Sequence, residues 1–224
     1  MTNENQKIVV QLGYLTDKHV GVFVAEEFMK TGVVTEADVA TLASSREHPN
    51  ETKKTMKNAI VITHSHGLSV VDSSTGLKKL IIVGGPEPQN TLSLLSNATA
   101  GALRSVWNQV TSKGDYRIFF MSSMKTALLH PVQTIKGGLE VTDFSTIDKL
   151  KTLVKSLDAS RMVVVVMKGD KLFPVEPGYR QQVEDLGVRF IEIDGAHNDL
   201  YEKSEMTVGA ICRELFPELV EDSV

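Results

Sequence analysis

Three polar residues of this sequence, Ser65, Asp170 and His197, have the side-chain types of a serine nucleophile with its proton relay. A serine hydroxyl is a weak nucleophile near neutral pH, and it needs an adjacent base to accept its proton. A histidine can take that proton and later return it to a leaving group, while a carboxylate orients the imidazole and stabilises its cation. Together the three residues would form a covalent acyl-enzyme on the serine, and water would then hydrolyse it.

Each of these residues also has a structural interpretation that involves no catalysis. A serine after a strand can cap the following helix, and a Gly-Asp pair such as Gly169-Asp170 commonly forms a turn. A Gly-Ala-His sequence such as 195–197 can be a purely structural loop. The catalytic hypothesis rests on the conjunction, because the residues follow the order Ser, Asp, His and each lies just beyond an apolar run.

Apolar runs bounded by turn residues predict the strands that would position these side chains. The strands are predicted at Lys7–Leu12, Asn58–Thr63, Leu80–Val83, Arg161–Met167 and Val188–Ile193. Helical spacing predicts helices at His19–Lys30, Val34–Ala43, Thr146–Leu157, Glu176–Leu186 and Lys203–Leu215. Alternating strands and helices indicate the α/β class, with a mostly parallel central sheet and helices on both faces. Ligands bind at the carboxyl ends of such strands, where all three polar residues would emerge.

The segment around Ser65 predicts a sharp strand-to-helix turn. The apolar run 59–62 leads into Thr63-His64-Ser65-His66-Gly67, and Gly67 allows close packing after the turn. Such a nucleophile elbow, with the pattern G-x-S-x-G, exposes the hydroxyl above the sheet and points backbone amides at a developing oxyanion. Thr63 stands where the pattern has its first glycine, so a β-branched side chain could crowd the turn.

The sequence resembles the α/β-hydrolase superfamily from about Lys7 to Pro217. Three motifs carry this resemblance: the elbow at Thr63–Gly67, an acid loop at Gly169–Pro174 and a histidine loop at Asp194–His197. The acid loop has the Gly-Asp and the proline that are typical after the family's seventh strand, and the histidine loop follows the eighth. These motifs are specific to the superfamily and not to a substrate.

The resemblance implies a serine hydrolase that uses Ser65, Asp170 and His197 as its catalytic triad. It also implies that the backbone amides of His66 and Tyr14 form the oxyanion hole. Tyr14 takes this role because a Leu-Gly-Tyr sequence stands in place of the family's His-Gly dipeptide.

Residues 1–224 are expected to form a single α/β-hydrolase-like domain. The chain begins near the family's third strand, which predicts a reduced fold that lacks the first two strands. The regular alternation of strands and helices lapses between residues 86 and 145, where a helical cap over the site or an ordinary irregular connection would fit. Apolar side chains in this segment could line an acyl pocket or form the core of the cap itself.

An esterase-like activity on a small or medium, mainly apolar carboxylic ester is the expected function, with thioester, amide and carbon–carbon bonds left open. Two other functions remain open as well. A catalytically inactive, hydrolase-fold binding protein would keep the scaffold but lack a competent oxyanion hole. An acyltransferase would use the same acyl-enzyme with an alcohol or amine acceptor.

Composition limits the remaining classes of function. The 224 residues carry a net charge of −4 and no basic block, which argues against a nucleic-acid-binding surface. No apolar stretch approaches the length of a membrane span, and the first residues contain no apolar signal core. The single cysteine, Cys212, fits a reducing compartment, so a cytoplasmic location is expected. A homo-oligomer is left open.

Two further patterns have competing interpretations. His64 and His66 flank Ser65 and could form a metal site with His19, but packing beside the elbow or at the pocket mouth is favoured. The pair Gly84-Gly85 follows a strand and could indicate phosphate binding, but a tight turn is favoured because the fuller glycine pattern is absent. No metal or organic cofactor is therefore expected.

Overall fold

The computed structural model describes residues 6–13, 16–88 and 139–217. The strands within these ranges are β1 (Lys7–Gln11), β2 (Glu36–Ala40), β3 (Ile60–His64), β4 (Lys79–Val83), β5 (Met162–Met167) and β6 (Arg189–Ile193). The α-helices that lie wholly within these ranges are α1 (Lys18–Lys30), α2 (Leu42–Glu47), α3 (Pro49–Met56), α4 (Thr146–Leu153), α5 (Tyr179–Asp185), α6 (Asp199–Glu202) and α7 (Ser204–Leu215). The strands form one open, parallel sheet in the order β2-β1-β3-β4-β5-β6.

Helices cover both faces of this sheet, so the central strands are buried on both sides. One core lies between the sheet and the helices α1 and α7, and it contains Val10 and Ile211. A second core lies between the other face and the helices α3, α4 and α5, and it contains Val9 and Leu150. Val9 and Val10 enter different cores because successive strand residues point to opposite faces. The predicted fold class is confirmed.

The segment 34–43, predicted as a short helix, instead contributes residues 42–43 to α2 and residues 36–40 to strand β2. Strand β2 pairs with β1 along its whole length, and Lys7 on β1 forms ion pairs with Glu36 at 3.1 Å and Asp38 at 2.6 Å. The prediction was wrong because pairing with a neighbouring strand outweighs a local helix pattern. The polar side chains suit an edge strand, where charge discourages pairing with other chains.

The register of neighbouring strands places their carboxyl ends at one edge of the sheet. His64, the last residue of β3, lies opposite Val83 at the end of β4. Met167, the last residue of β5, lies opposite Ile193 at the end of β6. The segments that leave this edge contain all three predicted triad residues.

Two predictions fall on residues that the structure does not describe. Tyr14 is one of them, and residues 89–138, which make up most of the predicted cap at 86–145, are the other. Within the described ranges, no helix has the length and apolar character needed to cross a membrane.

Candidate active site

The backbone turn at Ser65 is strained. All five residues of β3 are buried, and the chain passes directly into a short 3-10 helix at Ser65–Val70. Ser65 has a φ of 51°, in the left-handed region. A residue other than glycine pays about 1–3 kcal/mol for such a conformation, and strain of this kind concentrates at functional sites. A strand that passes through a left-handed residue into a helix is the backbone geometry expected of a nucleophile elbow.

Two glycines allow the chain to pack tightly against this turn. A Cβ atom on Gly67 would lie 2.7 Å from the carbonyl oxygen of Gln11 and 2.9 Å from that of Leu12. A Cβ atom on Gly13 would lie 2.6 Å from the carbonyl oxygen of His64. Backbone atoms cannot move aside as a flexible side chain can. The lack of a side chain at these two positions therefore allows the turn to pack directly against the end of β1.

Thr63 occupies the position of the first glycine of the motif without preventing the turn. Its side chain is fully buried, and its register with Gln11 on β1 and Ile82 on β4 is intact. Ser65, two residues later, adopts the left-handed conformation although Thr63 is not a glycine. The β-branched side chain is thus accommodated by the strand.

His197 and Asp170 form a buried hydrogen bond. His197 Nδ1 lies 2.7 Å from Asp170 Oδ2, and only 8% and 3% of the two side chains are exposed. A carboxylate can only accept, so Nδ1 of the imidazole carries the proton, which leaves Nε2 of the neutral ring as an acceptor. This is the tautomer that a general base needs in order to remove a hydroxyl proton.

The second oxygen of Asp170 is held by the backbone. Oδ1 accepts hydrogen bonds from the amides of Leu172 and Phe173, both at 2.9 Å. Burial by itself raises the pKa of Asp170, but the charge and hydrogen bond of His197 and the two amides outweigh it. The pKa of Asp170 therefore lies below its usual value, and the carboxylate is ionised at neutral pH.

Other carboxylates near the histidine loop have different partners. Asp194 is 92% exposed and forms an ion pair with Lys168. Asp199 is buried, and its Oδ2 accepts from the amide of Ala196 and from Lys203 Nζ, both at 2.9 Å. Asp199 therefore fixes the backbone of the loop and not the imidazole. Among the described carboxylates, Asp170 is the one that bonds to the imidazole of His197.

Gly84, directly after β4, has no side chain that would press on the hydrogen-bonded pair of His197 and Asp170. Its φ is 56°, and an added Cβ atom would lie 3.2 Å from His197 Nδ1 and 3.5 Å from Asp170 Oδ2. The left-handed conformation agrees with the tight turn favoured for Gly84-Gly85. The structure adds a second reason for glycine here, since a side chain would press on the pair.

His64, the residue before Ser65, contacts the catalytic histidine candidate. Its Nε2 lies 2.8 Å from the backbone oxygen of His197, and the two ring centroids are 4.6 Å apart. The His64 ring also packs edge-on against Tyr201 at 4.7 Å. Burial, reinforced by the charge of His197, lowers the pKa of His64 to about 3, so His64 is neutral near pH 7.

His66, the residue after Ser65, has a different partner. Its Nε2 lies 3.2 Å from Arg46 Nη2 and accepts from it, because a guanidinium can only donate. Arg46 also forms an ion pair with Glu140 at 2.7 Å. Burial, followed by the charge of Arg46, lowers the pKa of His66 to about 4.

The metal interpretation of the flanking histidines finds no support in these contacts. His64 and His66 bond to separate partners, while His19 is exposed and packs against Phe23. In the described ranges, no group of three or more His, Cys, Asp or Glu side chains is placed to hold a metal ion.

Ser65 and His197 lie at the same edge of the sheet. His64, which directly precedes Ser65, bonds to the backbone oxygen of His197. Within the described part of the chain, no hydrogen bond joins Ser65 Oγ to the imidazole, which bonds to Asp170. Such bonds are often long before substrate binds and tighten in the complex. Ser65 as nucleophile and the amides of His66 and Tyr14 as oxyanion donors therefore stay predictions.

Sequence reasoning did not predict three contacts of this arrangement: the bond of His64 to His197, the closeness of Gly84 to the histidine–aspartate pair and the hydrogen bonds of Asp199. Asp199 follows the Gly-Ala-His sequence by two residues, so a loop-capping pattern could have indicated it. His64 and Gly84 carry no comparable signal, because each acts on a residue that is distant in the sequence.

Protonation of His64 is expected to destabilise the fold in mild acid. Its folded pKa of about 3 lies below the ordinary value of 6.5, so the unfolded chain binds the proton first. The stability that neutral His64 contributes is present above pH 6.5 and is lost as the pH falls toward 3. Between pH 7 and pH 5 this loss is about 2 kcal/mol of unfolding free energy.

Urea unfolding of the wild type and of His64→Gln at both pH values measures this effect. Glutamine does not titrate, so the wild type should lose about 2 kcal/mol more than the variant between pH 7 and pH 5. Equal losses in the two proteins would show that His64 is accessible to protons in the folded state.

Many solved structures share this fold. A hydrolase from Pseudomonas aeruginosa PA01 superposes with a TM-score of 0.66 and 14% identity over 96% of this chain and 91% of that chain. The N-formylmaleamic acid deformylase of Pseudomonas putida S16 gives 0.63 and 14% over 94% and 93%. A thermophilic esterase gives 0.56 and 16% over 97% and 91%. The chain has the α/β-hydrolase fold.

Sequence comparison adds nothing to this structural likeness. No family model matches the chain, and no curated protein matches it significantly.

Proposed function

We propose that this protein is a serine hydrolase that cleaves a small or medium, mainly apolar carboxylic ester through an acyl-enzyme. The observation that carries the proposal is the buried 2.7 Å hydrogen bond between His197 and Asp170 at the sheet edge where Ser65 is strained. A buried carboxylate and a left-handed serine both cost stability, and a reaction that uses them explains why the fold holds both at one sheet edge.

Acylation begins when His197 Nε2 removes the proton of Ser65 as Oγ attacks the ester carbonyl carbon. The carbonyl π electrons move to oxygen and form a tetrahedral oxyanion, to which the amides of His66 and Tyr14 donate. One such donor is worth about 3 kcal/mol of barrier. Collapse of the intermediate breaks the ester C–O bond, and the leaving alkoxide takes the proton from His197.

Deacylation repeats these steps with water in place of serine. His197 removes a proton from water, the oxygen attacks the acyl carbon, and collapse releases the carboxylic acid and returns the proton to Ser65 Oγ. Asp170 stays ionised throughout and stabilises the imidazolium in both halves. Its lowered pKa supports this role, because a carboxylate that ionises readily does not take the proton from His197.

The described surroundings support an apolar, uncharged substrate. The ring of Phe173 lies 4.9 Å from that of His197, and the ring of Phe144 lies 4.9 Å from that of His66. Arg46, the cation that bonds to His66, is already paired with a carboxylate. An esterase is among the structures of similar fold, which agrees with the ester that we propose as substrate.

Labelling of the wild-type protein with a fluorophosphonate probe tests the proposal. Ser65 should carry the adduct in peptide mass spectrometry, because only an activated serine attacks the phosphorus. An adduct on a different serine would contradict the assignment, and a protein that is folded but unlabelled would be a binding protein. Product analysis with added alcohols then separates the hydrolase, which releases acid, from an acyltransferase, which forms a new ester.

A further inference from the structure

One side chain ties the histidine loop to the elbow. His64 Nε2 donates to the backbone carbonyl of His197 across 2.8 Å, and both residues are buried. His64 ends β3, so this bond joins the residue before the proposed nucleophile to the backbone of the proposed base. Movement of the loop away from the elbow would leave a buried donor and a buried carbonyl unpaired, which is costly.

The ring of His64 also restricts the movement of the His197 imidazole. The two rings are tilted by 44° with centroids 4.6 Å apart, and Phe173 packs edge-on against His197 at 4.9 Å. With Nδ1 of His197 bound to Asp170, the imidazole is in contact with two rings and one carboxylate. The His64 side chain therefore acts on both the backbone and the ring of His197.

Hydrogen-bond chemistry selects a single tautomer of His64. The carbonyl of His197 can only accept, so the proton of His64 is on Nε2. Its buried Nδ1 has no hydrogen-bond partner among the described residues, so a second proton there would have no acceptor. His64 is thus built as a neutral donor, and His197 is left to carry the catalytic proton.

We propose that His64 is a positioning residue, which holds the imidazole of His197 in place beside Ser65 through its Nε2–H bond and its ring. The role rests on the proposed function, in which His197 is the general base. His64 acts through His197, and no contact with substrate is assigned to it.

Two amide variants separate the hydrogen bond from the rest of the side chain. Glutamine places its amide nitrogen near the position of histidine Nε2, whereas asparagine reaches only to the position of Nδ1. Both are neutral and both lack the ring, so the variants differ mainly in the bond to His197. The kcat of His64→Asn should be about tenfold or more below that of His64→Gln, with KM similar, because small misplacements of a catalytic group cost up to about 10² in rate.

A control and two NMR measurements accompany the kinetics. His19→Asn makes the same change at an exposed site and should leave kcat unchanged. The proton that His197 Nδ1 shares with Asp170 should be visible in wild type and His64→Gln, and lost to exchange with water in His64→Asn. In the wild type, ¹⁵N spectra should show His64 protonated on Nε2, which requires no variant to fold.

A His64 ring protonated on Nδ1, or equal Nδ1 proton signals from His197 in the two variants, would overturn the positioning role. Neither measurement needs turnover. A wild-type protein that fluorophosphonate leaves unlabelled would therefore refute the proposed function while the NMR results still decide the role of His64.

Discussion

Replacement of Ser65 by alanine is expected to reduce kcat for an activated ester by about 10⁶-fold, as loss of the nucleophile does in serine proteases. Among the described residues, Ser65 is the hydroxyl-bearing residue that directly follows β3 and starts the 3-10 helix. Alanine takes the left-handed conformation with the same strain as serine, so the thermal midpoint should change little. Steady-state hydrolysis of a p-nitrophenyl ester and thermal unfolding measure the two effects.

Ser69 offers a matched control for this substitution. It lies in the same 3-10 helix, and its Oγ is buried without a hydrogen-bond partner in the described part of the chain. Ser69→Ala should therefore retain wild-type turnover. Substantial activity in Ser65→Ala, or its loss in Ser69→Ala alone, would place the nucleophile elsewhere.

The strands that carry the site could be predicted because they are buried on both faces. Met162–Met167 is a continuous apolar run, and such a run has one plausible place in an α/β fold. Strand β2 could not be predicted in the same way. Its sequence Glu36–Ala40 is short, acidic and partly exposed at the sheet edge, so its strand conformation comes from pairing with β1 and not from its own pattern.

The candidate site likewise has features that could be predicted from the sequence and features that could not. The positions of Ser65, Asp170 and His197 just beyond strand ends could be predicted because each follows an apolar run, while their catalytic roles stay predictions. The contact of His64 with His197 could not, since it joins residues 133 positions apart and depends on the order of the strands. The close approach of Gly84 to His197 and Asp170 likewise exists only in the folded chain.

Hydrogen-bond directions around Asp170 determine what an asparagine would do there. Oδ1 accepts from two backbone amides, of Leu172 and Phe173, so this position requires an acceptor. The amide oxygen of asparagine would satisfy it, and the amide nitrogen would then face His197. His197 Nδ1 would have to accept from that nitrogen, so the imidazole proton would move to Nε2. That tautomer cannot accept a proton from Ser65.

Asp170→Asn is therefore expected to lower the acylation rate by about 10⁴, the loss that the equivalent change causes in a serine protease. Fluorophosphonate labelling kinetics measure the rate, and ¹⁵N spectra of His197 should show the proton on Nε2 in the variant and on Nδ1 in the wild type. Asp194→Asn is the control, because that carboxylate is exposed and paired with Lys168, so its rate should match the wild type. Near-wild-type acylation in Asp170→Asn together with a large loss in Asp194→Asn would show that a different carboxylate orients the base.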